Sequence, residues 1–368
     1  MTEMAASGAA AAADRAGAGD ESGFRAVEAL YHAFITGLVL TFVTRRDAAA
    51  AARLVFATYR RQHLEKFLPG LDKLGLRGLP DPVAAAQYHY LSNLLGGVGV
   101  EYIPESDDKA WVRYPPPRWI WEGTALCAVP SEVVRAMLRG WHAHNGVSLG
   151  NPRMGFVCTA MATDGQPGLE GYYCRYDHVL TPEERLRFSP GETAPPLDPT
   201  KLPRVADADW PAVRRSKALR NYSMDYVRVM LMEAVAQFGP AEGGGLAGIA
   251  ARLIGLHYYH ASAALLGLEQ PGPAGFAAYL TAMAQAQGDD AEWRAEPGGG
   301  VVVRQSTWRL MRGAGRLSPA VFAAWNELWQ GAALAADRHL RLDVTQRLDL
   351  GDPCFEWRLR LGSAAVPL

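Results

Sequence analysis

Arg53-Leu54-Val55-Phe56-Ala57-Thr58-Tyr59 returns later in the chain as Arg252-Leu253-Ile254-Gly255-Leu256-His257-Tyr258, and reading this pair decides the fold. Further matches keep the same order at a nearly constant offset. Pro80-Asp81-Pro82 answers to Pro271-Gly272-Pro273, Tyr88 to Tyr279, Glu101-Tyr102 to Glu292-Trp293, Val112-Arg113 to Val303-Arg304, Ser131 to Ser318 and Val157 to Val344. Ordered self-similarity of this kind marks a duplicated unit. It predicts a first repeat over residues 23–180, a proline-rich linker over 181–215 and a second repeat over 216–368, after a leader at 1–22.

Within each repeat the hydrophobic period changes from helical to extended. Leu30, Phe34 and Leu38 mark one apolar helical face, and Ala48–Phe67 is rich in Ala, Leu and Arg with no Gly or Pro. Pro82–Leu95 starts with proline and ends at Gly96-Gly97; Pro273–Ala286 is its counterpart, ending at Gly288. Strands follow at Val98–Ile103 and Lys109–Tyr114, and at Glu292–Glu296 and Val301–Ser306. Helices from Ser131 and Ser318 come next, and each repeat closes on two strands: Gly155–Ala162 and Gly171–Tyr176, then Leu340–Leu348 and Cys354–Leu361. Helices, hairpin, helix, hairpin predict an α+β fold: two tandem copies of an antiparallel sheet with helices on one side, forming a pseudo-dimer.

Composition narrows the function. The 368 residues carry 37 basic and 38 acidic side chains, without the basic excess of a nucleic-acid binder. The apolar stretch Ala33–Val43 is too short to cross a membrane and reads as a core helix. The first 22 residues lack the basic start and apolar run of a secretory signal and read as a disordered leader. Four cysteines without CxxC spacing fit free thiols in a reducing cytoplasm. No phosphate loop, nucleophile elbow, HExxH or dinucleotide fingerprint is present. Cofactor identity is left open, as is a homodimer.

The close of the second repeat, Arg347-Leu348-Asp349-Leu350-Gly351-Asp352-Pro353-Cys354-Phe355-Glu356-Trp357, resembles the last hairpin of 4-vinyl-reductase-like domains and of the L-2-amino-thiazoline-4-carboxylic acid hydrolases. The resemblance implies compact α+β proteins that sense small organic molecules or act on small cyclic amidine-type substrates. Sensor members cluster several cysteines near this hairpin; here Cys354 stands alone, so no metal of that type is expected.

The two repeats differ where chemistry would sit. His89 falls opposite Leu280, Asn93 opposite Ala284, His142 opposite Gln330, His144 opposite Ala332 and Asn145 opposite Ala333. Packing alone does not call for polar groups at these places. His142 and His144 form the densest cluster with Asn145, where the helix end before Gly146 is expected to unwind and let both rings converge. Pro115-Pro116-Pro117 is read as an extended path setting Trp119 and Trp121 on one side, an aromatic wall beside Glu122. The expected activity is hydrolysis of a C–N bond in a small cyclic amidine or amide. His142, His144, Glu122 and His89 would act as acid or base, Glu101 as an alternative to Glu122, and Trp119, Trp121, Tyr88, Arg113 and Asn145 would bind substrate. The alternative is a non-catalytic small-molecule-binding protein. A metal at His257 and His260, spaced three apart, is weaker than packing of those rings.

Overall fold

The structure is a computed structural model and describes residues 2–117, 119–121, 123–204, 210–297 and 300–362. It packs as two compact units, Val39–Pro211 and Met1–Leu38 with Ala212–Leu368. Helix α1, Thr2–Arg45, runs through the alanine-rich stretch read as a disordered leader. Alanine is the strongest helix former and that stretch has no proline. By position α1 falls in the first repeat, yet its residues up to Leu38 pack with the chain from Ala212 onward. The Tyr31 hydroxyl donates to Gln287 Oε1 at 2.6 Å and accepts from Trp325 Nε1 at 3.0 Å. The segment Glu21–Arg45 is apolar and long enough to cross a membrane, but most of it is buried in the protein, as for a core helix.

In the unit Val39–Pro211, α2 (Ala48–Lys73) begins at an Asp47 cap that accepts from Ala50 N, and packs on α4 (Ser131–Gly140). Helix α3 (Asp81–Leu95) lies on the sheet, and a short α5 (Asn145–Ser148) follows α4. Strands β1 (Glu101–Ser106), β2 (Lys109–Tyr114), β3 (Met154–Ala160), β4 (Leu169–Arg175) and β5 (Leu186–Phe188) assemble in the order β1-β2-β4-β3-β5. The first four pair antiparallel; β5 pairs parallel to β3 and comes from the segment expected to be only a linker. That segment also covers the sheet face away from the helices, where Ala194 and Leu197 pack on Ile103, Trp111, Val157 and Tyr172.

In the other unit, α6 (Ala212–Leu266) breaks at Gly239, whose φ of 81° precedes Pro240. Proline lacks an N–H and disfavours helical geometry before it, and glycine accepts the resulting positive φ. Helix α7 (Gly272–Gln287) lies on the second sheet, and α8 (Pro319–Ala336) packs against α6. Strands β6 (Ala291–Ala295), β7 (Val301–Gln305), β8 (Leu340–Gln346) and β9 (Phe355–Leu361) take the order β6-β7-β9-β8. The architecture is therefore α+β.

The two sheets share this order and several marks of register. Glu101 faces Arg113 and Arg113 faces Glu170; Glu292 faces Arg304 and Arg304 faces Glu356. Each closing hairpin bulges at a threonine, and Thr159 and Thr345 give their hydroxyls to Glu170 and Glu356. By this register Val344 corresponds to Cys158, one residue from the Val157 match read from sequence, because both stand one step from a bulge that pairing by residue type does not see.

Two outcomes test this packing. A Cβ on Gly255 would lie 2.0 Å from Leu328 O, backbone that cannot yield, so Gly255→Ala should lose at least about 2 kcal/mol of stability in denaturant melts. Gly245 is exposed with nothing within 4 Å, and Gly245→Ala should gain roughly 0.5–1 kcal/mol. Separately, Asp289 is buried with Oδ1 held by Arg309 N and Thr307 Oγ1, while burial pushes its pKa up to about 6. The folded chain then holds this proton more tightly than the unfolded one. Its contribution is present at pH below the ordinary 3.8 and lost as pH rises through 6. Asp289→Asn should therefore be more stable than the parent at pH 8, by up to about 3 kcal/mol, and not at pH 4.

Candidate functional site

Inside the unit Val39–Pro211, four histidines from three elements meet between the helices and β2, β3 and β4. Helix α3 supplies His89 and α2 supplies His63, while His142 and His144 sit on a single 3-10 turn, His142–His144, where α4 ends at Gly140. Gly140 is required there, because a Cβ would meet Phe56 O at 2.8 Å on the facing helix. The rings of His89 and His142 stack with centroids 4.3 Å apart and planes 13° from parallel. Each is tied to a tyrosine of the sheet: Nδ1 of His89 to Tyr114 Oη at 2.9 Å, and Nδ1 of His142 to Tyr173 Oη at 2.7 Å. Phe156 packs on His142, and Trp141 edges both His89 and His63.

Asn145 links the two halves of this cluster. It is fully buried, and Nδ2 reaches His89 Nε2 at 3.4 Å. An amide nitrogen only donates, so Nε2 accepts and the neutral His89 ring carries its proton on Nδ1, donated to Tyr114. Asn93 donates to the His89 carbonyl at 2.7 Å. The rings of His63, His89 and His144 are uncharged at neutral pH. Burial lowers the pKa of His89 to about 3. Burial first, then His144, His89 and Arg60, lowers that of His63 to about 2; burial first, then Arg60 and Arg185, lowers that of His144 to about 4. Burial also holds the Tyr173 hydroxyl well above its usual range.

Several buried polar atoms here have no protein partner: His63 Nδ1, Trp141 Nε1 and Asn145 Oδ1, with Thr58 Oγ1 and Gln62 Nε2 on α2. Each such atom costs about 1–3 kcal/mol if left dry. Together they offer donors and acceptors to a guest. Among the described residues no three His, Cys, Asp or Glu side chains are arranged to share a metal ion.

The structure thus brings together His89, His142, Asn145 and Tyr88, while the His144 ring meets His63. Residues two apart on a 3-10 turn point far apart, so His142 turns to His89 and His144 to His63, 5.2 Å between centroids, and the two rings do not converge on each other. Arg113 is excluded. It neighbours Tyr114 on β2 and so faces the opposite side of the sheet, paired with Glu101 and Glu170. Glu101 is spent in the same pairing. Trp119–Trp121 forms a 3-10 turn instead of an extended wall; Trp121 is buried with its indole nitrogen unpartnered. Glu122 and the side chain of Trp119 lie outside the described residues. His257 and His260 are exposed.

Sequence reasoning missed His63, Tyr114, Tyr173 and Ser148, whose Oγ sits 2.9 Å from His63 Nε2. The internal comparison held the signal. By the offset of the Arg53 match, His63 stands opposite Ser262; by strand register, Tyr114 stands opposite Gln305 and Tyr173 opposite Leu359.

These buried neutral rings set an acid limit. Their folded pKa values lie below the ordinary 6.5, so their contribution is full above 6.5 and declines as pH falls toward the folded values. Between pH 7 and 5, His63 and His89 should each remove about 2 kcal/mol of stability. Denaturant melts at the two pH values should show a shallower loss in His89→Gln. Imidazole NMR signals that titrate near 6.5 would contradict the burial described here.

No protein-family model, curated protein or solved structure matches the chain.

Proposed function

We propose that the unit Val39–Pro211 binds a small, polar organic molecule of the amide or cyclic amidine class beside the stacked His89–His142 pair. The observation that carries this is the set of unpartnered buried atoms around uncharged rings: an indole N–H at Trp141, an amide oxygen at Asn145 and a ring nitrogen at His63. A guest with one donor and one acceptor, as every amide and amidine has, complements them without a charged partner.

Hydrolysis of a C–N bond is the second reading, favoured by the Tyr173–His142 hydrogen bond at 2.7 Å. His142 would take a proton from attacking water and the hydroxyl of Tyr173 would orient the ring; the leaving nitrogen would take the proton back. His89 is a poor base for this, since burial holds its proton affinity far below neutral pH.

We further read the shared strand order and the paired Thr–Glu–Arg register as two copies of one unit in tandem, a pseudo-dimer with only one furnished interior. On that reading the counterparts of His89, His142, Asn145, Tyr114 and Tyr173 are Leu280, Gln330, Ala333, Gln305 and Leu359. The same fold is thus built without the histidines, which supports a role for them beyond packing. The free thiols at Cys127, Cys158, Cys174 and Cys354 fit a cytoplasmic setting.

The test is a calorimetric panel of neutral amides, lactams and cyclic amidines, with ammonia or amine release followed in parallel. At least one should bind, and Asn145→Ala should weaken it at least tenfold. If release is observed, His142→Ala should slow it by about 10²–10⁴ while His339→Ala leaves it unchanged. No binding across the panel, or binding indifferent to Asn145 and His142, would discard this reading.

A further inference from the structure

The partly exposed edge of the same cluster holds cationic side chains that lack anionic partners. Arg60 lies one turn before His63 on α2, and its Nε and Nη2 donate to the carbonyls of Gly140 and Arg139, both at 2.9 Å. Those carbonyls tether the guanidinium without neutralising it. Arg185 precedes β5, and its carbonyl accepts from Phe156 N at 2.9 Å, so it stands beside the residue whose ring packs on His142. Its Nε is buried with no partner.

Among the described residues neither arginine has a carboxylate within ion-pair distance. Glu184, next to Arg185, is taken by Arg187 at 3.2 Å and by the Thr181 N–H at 3.0 Å. Glu65 is taken by Arg61 at 3.0 Å. The two guanidiniums also feel each other: burial, then the charge of Arg185, lowers the proton affinity of Arg60. Two like charges held close with a buried N–H unsatisfied are costly, and an anion relieves both costs at once.

We propose that Arg60 and Arg185, with His144 beside them, form an anion site at the edge of the histidine cluster that takes an oxyanion, phosphate or carboxylate. Arginine suits this because its planar fork gives two parallel N–H bonds to such a group, which lysine cannot. The proposal rests on the reading above only in assigning the anion to a larger organic molecule that continues inward. The neutral ring of His144 contributes a hydrogen bond and no charge.

The experiment uses the full chain at low ionic strength, titrated calorimetrically with inorganic phosphate and separately with acetate. Arg185 is the residue to change, because Arg60 also ties the end of α4. The parent should bind at least one anion saturably, Arg185→Gln should weaken it at least tenfold, and Arg185→Lys should fall between. Tighter phosphate than acetate assigns the phosphate class, and the reverse a carboxylate. Thermal melts of Arg185→Gln that match the parent establish that the loss is local; a variant that melts early is replaced by Arg185→Lys with its tenfold criterion relaxed to threefold. No saturable binding, or binding equal in the parent and in the Arg185 variants, overturns the proposal. Neither probe carries an amide, so failure here leaves the amide panel standing, and failure of that panel leaves this site standing.

Discussion

Everything at the candidate site depends on which face of the first sheet Tyr114 and Tyr173 occupy, and the opposite face decides it. Arg113 bridges Glu101 and Glu170, and the bulged Thr159 adds its hydroxyl to Glu170. These contacts hold β1, β2, β3 and β4 in a single register. A slip of one residue would turn Arg113 toward the helices and Tyr114 away from His89. The ion pairs are partly exposed and contribute little energy by themselves. Their role is to make the correct register the one in which charges meet and hydroxyls point inward.

Once the tyrosines face the helices, the histidines become buried hydrogen-bonding groups whose state is determined by their neighbours. Stacking at 4.3 Å is tolerable for two neutral imidazoles and strongly unfavourable for two cations. Burial and stacking therefore act in the same direction, and neither needs a carboxylate to orient the rings. Asn145 sets the tautomer of His89, which makes the amide a positioning group for the pair. On the proposed binding reading, such a cluster would recognise by shape and hydrogen bonding and discriminate most strongly against molecules that leave one of its own atoms unpaired.

Much of the fold was legible because helix and strand periods are local. Lys109–Tyr114 and Ala48 onward were read with their true starts, and the order of hairpins follows from turn residues alone. The site was less legible for two physical reasons. His63 lies in an Ala- and Arg-rich helix where nothing nearby marks it as buried, and its partner Ser148 is far along the chain. Residue type alone makes Arg113 a ligand candidate, whereas strand alternation beside Tyr114 puts it on the other face. The turn at Trp119–Trp121 escaped because consecutive prolines suggest an extended path that the following residues do not continue.

On the proposed reading of two tandem copies, the second unit stands as a comparison for the first. In the second unit, Trp308, Phe322, Trp325 and Phe355 pack ring on ring, and Trp357 donates to Asn326 at 2.8 Å. Such an interior gains from buried apolar area at roughly 25 cal/mol per Å², although the indole nitrogens of Trp308 and Trp329 are unpartnered there as well. The first interior gives up part of that gain for imidazoles, hydroxyls and amides. Unpartnered atoms at His63, Trp141 and Asn145 then add their own cost of about 1–3 kcal/mol each. A core of this kind gains less from apolar burial than the aromatic one. Its persistence in one unit and not the other is the physical reason to look for a guest there.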